Sequence, residues 1–111
     1  MNDYKAEMLE KFNFPDALRD YDLKCASEAT ELFTGKEHSL SNQIVAKVFI
    51  LFADRRLSVP RIVDIIKSCY GVDYSGDNVR HIEASLKYFV KQKVLAKRKI
   101  QGQDHYKVNF K

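Results

Sequence analysis

Apolar residues recur along the chain at helical spacing up to about residue 93 and then switch to alternation. Tyr4, Met8, Leu9 and Phe12 sit at roughly helical intervals. Pro15 then restarts the chain; its ring suits the first turn of a helix, and Asp16 favours the same end. Leu18, Tyr21, Cys25, Ala29 and Leu32 follow at intervals of 3, 4, 4 and 3, one narrow stripe that predicts a helix over about 15–34. Leu23 falls off that stripe and points to a second contact, and Gly35 stands where the helix should stop.

Ser39 and Ser41 are both N-cap candidates for a helix reaching about Arg56. Its apolar arc, Ile44, Val45, Val48, Phe49, Leu51 and Phe52, is too wide for one neighbour and demands cover on two sides. Leu57-Ser58-Val59-Pro60 opens a further helix with Ser58 as cap, an inner face of Val59, Ile62, Ile65, Ile66 and Cys69, and a stop at Tyr70-Gly71. After a short extended link and the cap cluster Ser75-Gly76-Asp77, a helix over about 77–93 turns Val79, Ile82, Leu86, Phe89 and Val90 inward. Tyr106, Val108 and Phe110 alternate with His105, Lys107 and Asn109, a half-buried strand. The Gly102 loop joins it to Val94–Ile100 as a hairpin. The expected fold is mainly α with a small β-hairpin.

Charge sharpens this picture. The 111 residues carry a net +4, but residues 1–40 hold five Lys/Arg against nine Asp/Glu, while residues 41–111 hold fourteen against six. From Val79 onward nine basic residues face only Glu83 and Asp104. One end of the molecule is therefore suited to a polyanion. No apolar run exceeds Val48–Ala53, too short to span a bilayer. Without a basic-then-apolar leader, the chain reads as cytoplasmic, nucleoid-associated in a bacterial cell. Cys25 and Cys69 form no C-x-x-C, and Cys69 on an apolar face reads as core.

From Ser41 to Phe110 the order of elements resembles the winged helix-turn-helix superfamily. The carrying residues are Leu57-Ser58-Val59 opening the second helix, Ile62, Ile65 and Ile66 inside it, and the turn over 71–76. The Val79, Ile82, Leu86, Phe89 stripe, the Lys93-Val94-Leu95 junction and Tyr106-Lys107-Val108 complete the match. Lys93 departs from the glycine common at that junction. The resemblance divides the chain into a helical extension, 1–40, and a winged helix-turn-helix domain, 41–111. It implies a third helix in the major groove and a wing on the backbone or minor groove. The helix face opposite the stripe shows Asp77, Arg80, His81, Ala84, Lys87, Tyr88 and Lys91. Arg80 and His81, with Asp77 and small Ala84 beside them, are the expected base-reading group. Lys87, Tyr88 and Lys91, with Lys97, Arg98, Lys99 and Lys107 of the hairpin, are the expected phosphate contacts.

The expected activity is sequence-specific binding of double-stranded DNA by a transcriptional regulator acting as a homodimer. Leu18, Tyr21, Leu23, Cys25 and Leu32 are candidates for the dimer contact, or alternatively a lid on the wide arc after Ser41. A protein-interaction adaptor without DNA binding is the competing reading. No phosphate loop, zinc spacing or nucleophile–base pairing occurs, so neither catalysis, cofactor nor metal is expected.

Overall fold

A computed structural model describes residues 23–110. Within them lie helices α1 (Leu23–Phe33), α2 (Leu40–Leu51), α3 (Val59–Tyr70) and α4 (Val79–Lys91). A two-residue strand β1 (Leu57–Ser58) precedes α3, a 3-10 turn (Gly76–Asn78) leads into α4, and β2 (Leu95–Ile100) and β3 (Gln103–Val108) follow. The strands form an antiparallel sheet in the order β1-β3-β2. The described part is thus mainly helical with a small three-stranded sheet.

Local chemistry sets most of the boundaries. Ser39 is extended, and its Oγ accepts from the Asn42 N–H at 3.1 Å, satisfying one free donor of α2. Ser58 caps α3 in the same way through the Arg61 N–H at 3.4 Å, with Pro60 in the first turn. Gly71, at φ +68°, ends α3 and donates to the Lys67 carbonyl. At the end of α4, the Lys93 N–H donates to Val90 and the Val94 N–H to Phe89. That paired closure is a Schellman motif, with Lys93 in the left-handed position at φ +63°. Gln101 and Gly102, both at positive φ, make the two-residue loop between β2 and β3.

Helix α2 occupies the centre, packed by α1, α3 and α4. Its run from Ile44 to Leu51 is buried at every position but Lys47, as an arc covered on two sides must be. One of those covers is α1: Ala26, Ala29, Thr30 and Phe33 are buried, and the Phe33 ring meets Phe89 of α4 edge-on at 4.8 Å. The buried Thr30 hydroxyl donates to the Ala26 carbonyl, so no polar group is stranded there.

Several expectations shift. The inner stripe of α1 is rotated by one position, onto Ala26, Ala29, Thr30 and Phe33, leaving Cys25 and Leu32 half-buried at its edges. Leu23 belongs to α1, while Leu18 and Tyr21 lie outside the described residues. Helix α2 stops at Leu51 instead of Arg56. Leu57, expected at a helix start, pairs with Tyr106 as β1; two residues have no period to read. Strand β3 begins at Gln103, two residues earlier than the alternation suggests. On α4, Val79 and Val90 are half-buried, and Ser85 takes an inner place by donating to Ser41 Oγ at 3.0 Å.

Candidate nucleic-acid interface

Helix α4 buries Ile82, Ser85, Leu86 and Phe89. At 100° per residue, that fixes what the other directions carry. Arg80, Ala84, Lys87 and Lys91 form the ridge opposite the core, and all four are exposed. His81 and Tyr88 fall on one flank. The His81 ring lies 6.5 Å from Tyr74, and Tyr88 is half-buried between His38, at 6.2 Å, and Phe89, at 5.5 Å. Glu83 and Val90 fall on the other flank, toward the hairpin. Asp77 is exposed in the 3-10 turn, before the helix proper.

The hairpin places its cations on two faces. Leu95 pairs with Val108 and Lys97 with Tyr106, and Leu95, Val108 and Tyr106 are all buried. Strand alternation therefore turns Lys97 and Lys99 toward the core side, where α4 lies, and Arg98 and Lys107 to the opposite face. Lys97 faces the helix across a cleft of about 350 Å³, which it lines together with Glu83, Lys87, Val90 and Tyr106. The structure thus brings together Arg80, Ala84, Lys87, Lys91 and Lys97. It leaves His81 and Tyr88 on a flank, and sets Arg98 and Lys107 behind the sheet. Among the described residues, the cations of the ridge and hairpin make no ion pair within the protein. Their charge remains available to an external anion.

Glu83 was not foreseen as part of this region. Its position on the wheel places it between ridge and core, and only the packed hairpin turns that place into the wall of a cleft. Its carboxylate acts on Tyr106: burial first, then Asp104, then Glu83, push the phenol above its ordinary value. The phenol therefore stays neutral well into alkaline solution. Ser39 and Ser41, read from the sequence only as helix caps, join Leu40 and Tyr74, which were not singled out, around His81 in a second cavity of about 300 Å³. No local pattern joins residues more than thirty positions apart.

Elsewhere, the polar groups serve the scaffold. Asp73 accepts from the Ser75 N–H at 2.9 Å and pairs with Lys67 at 3.8 Å. The hydrogen bonds from Ser75 hold its carboxyl below the usual range, with Lys67 helping. Burial pushes the Cys69 thiol up to about 12, against a smaller pull from Arg61, so the group is a protonated core side chain. Among the described residues, no cluster of three or more His, Cys, Asp or Glu side chains is placed to hold a metal ion, and no helix is long and apolar enough to cross a membrane. Comparison with protein-family models, with curated proteins and with solved structures finds no match to this chain.

Proposed function

We propose that the chain is a sequence-specific DNA-binding protein of winged-helix architecture that regulates transcription, with α4 as its reading helix and β2–β3 as its wing. The observation that carries this reading is the ridge Arg80-Ala84-Lys87-Lys91, exposed, free of carboxylates along its crest and flanked by Lys97. Guanidinium near the start of the helix suits guanine edges, and Ala84 lets the backbone approach the bases. Lys87 and Lys91, one and two turns further on, suit phosphates. Supporting it is the order of elements after Leu40: helix, short strand, helix, helix, hairpin, with the short strand on the outer side of β3.

In this reading, Arg80 reads a base and costs about 1–3 kcal/mol of cognate affinity when replaced by alanine, while random DNA is less affected. Lys97 and Lys91 hold phosphates, and their replacement weakens all duplexes alike. A second protomer would supply the second half-site of a two-fold operator.

The test is duplex binding at several salt concentrations. Contact with about six phosphates gives a log–log slope of about −5. Absence of binding at low salt, with the protein folded, would remove the DNA reading and leave an adaptor that meets protein partners through the same ridge.

A further inference from the structure

The three-stranded sheet has a second face that the reading helix does not use. Leu57, Tyr106 and Lys97 form one row across β1, β3 and β2, and Leu95 with Val108 forms the next row on the same face. Leu57, Tyr106, Leu95 and Val108 are buried, so this is the side against the helices. Strand alternation puts the intervening positions on the outer face. There His105 lies between Ser58 and Arg98, and Lys107 beside Ala96. Carried back one residue, the register sets Arg56 opposite Lys107. Arg56, Ala96 and Arg98 are exposed, and His105 and Lys107 are half-buried. Ala96, small and still exposed within a paired strand, shows that none of the described residues covers this face.

The charge on that face has one sign. Arg98 and Lys107 are diagonal neighbours, about 7–8 Å apart at their backbones, and Arg56 stands about 5 Å from Lys107 across the register. The acid of the strands, Asp104, pairs with Lys99 and shares the inner-face parity of Tyr106, whose phenol it pushes up. Among the described residues, Arg56, Arg98 and Lys107 make no ion pair. Like charges set side by side on a sheet repel, and here nothing within the described chain offsets that cost. An external polyanion would offset it.

We propose that the outer face of the sheet, through Arg56, Arg98 and Lys107, holds the sugar-phosphate backbone of a second duplex, so that the chain bridges two DNA segments. This rests on the DNA-binding reading for the first duplex. A duplex seated on the α4 ridge meets the sheet from its inner side, where Lys97 lines the cleft. Arg98 and Lys107 leave the strands in the opposite direction, away from that duplex. Cations spread across the width of the sheet suit a run of phosphates better than one small anion. Contacts to phosphates alone carry no sequence information, so the second duplex is held whatever its sequence.

The test pairs two measurements on the whole chain, with folding checked by circular dichroism. Fluorescence anisotropy of a labelled short random-sequence duplex reads binding of one duplex. Capture of that labelled duplex by an identical unlabelled duplex fixed on beads reads bridging. Both are repeated on the double variant Arg98→Gln, Lys107→Gln, whose side chains leave the core untouched. The parent chain should bridge, and bridging should fall more steeply with salt than single-duplex binding, because two sets of counterions are released. In the double variant capture should drop at least about tenfold, the effect of two lost charge-assisted contacts, while the anisotropy isotherm keeps its midpoint. Single-duplex binding by the parent without capture would overturn the inference and leave the DNA reading in place. Undiminished capture by the double variant would also overturn it, since the ridge of a second copy would then be doing the bridging. So would an equal loss in both measurements, which would put Arg98 and Lys107 on the first duplex. No duplex binding by the folded parent would remove both readings.

Discussion

Lys93 offers a direct measurement of how far this chain tolerates a non-glycine residue at a helix end. It holds φ +63° in the Schellman closure after α4, with Lys93 N–H on Val90 and Val94 N–H on Phe89. Its carbonyl accepts from Asn109 Nδ2 at 3.2 Å, tying the junction to the end of the sheet. A residue with a Cβ loses about 1–2 kcal/mol in the left-handed region. Glycine avoids that loss, offset by about 0.4–1 kcal/mol for its freer unfolded chain. Lys93 also sits at the negative end of the α4 dipole, where its charge contributes a few tenths of a kcal/mol at an exposed position. Lys93→Ala removes the charge and keeps the strain, whereas Lys93→Gly removes both. The difference between the two variants isolates the backbone: glycine should be the more stable by about 0.5–1 kcal/mol, roughly 2–6 °C in Tm. Urea denaturation followed by circular dichroism, with m unchanged, reads it directly. If the glycine variant were no more stable than the alanine variant, Lys93 would not carry left-handed strain, and the account of this junction would be wrong.

Three further outcomes follow from the packing. Phe33→Ala should cost about 3–5 kcal/mol, because the ring is fully buried and meets Phe89 edge-on; a loss under 1 kcal/mol in thermal unfolding would mean that α1 is not part of the core. The raised phenol of Tyr106 contributes stability that is complete below the ordinary tyrosine value near 10 and fades as pH rises toward its folded value. Tyr106→Phe should therefore track the parent chain from pH 7 to 9 and overtake it above pH 10 in denaturant titrations; parallel curves throughout would contradict the shift. With its thiol near 12 instead of 9, native Cys69 holds about a thousandfold less thiolate at pH 8 than an unshifted thiol. Alkylation mapped by mass spectrometry should mark it only on unfolding, and rapid native labelling would show that the side chain is accessible.

Much of the fold was legible because its signals are local. Ser39 and Ser58 cap their helices, Gly71 closes one, and the alternation of Tyr106 and Val108 about Lys107 marks a strand half in and half out of the core. The breadth of the apolar arc in α2 announced that a second layer would cover it, and α1 does. The ridge of α4 was legible too, since one buried stripe fixes the opposite face of a helix: Arg80, Ala84, Lys87 and Lys91 needed no neighbour to place them.

What tertiary structure alone decided is which of these faces meet. Arg98 is adjacent to Lys97 in sequence, yet pairing of β2 with β3 turns the two lysine and arginine side chains to opposite faces, so only Lys97 reaches the cleft beside α4. The inner face of α1 went to Ala26, Ala29, Thr30 and Phe33, with Cys25 and Leu32 at its edges, because contact with α2 and α4 set which side of the helix faces inward. Ser41, Tyr74 and His81 became one cavity only when three elements packed. The chain's sequence by itself determined periodicity, caps and the sign of the charge, all of which depend on neighbours within a few residues. Long-range pairing and packing, which no short window contains, determined which of the charges and donors can act on the same ligand.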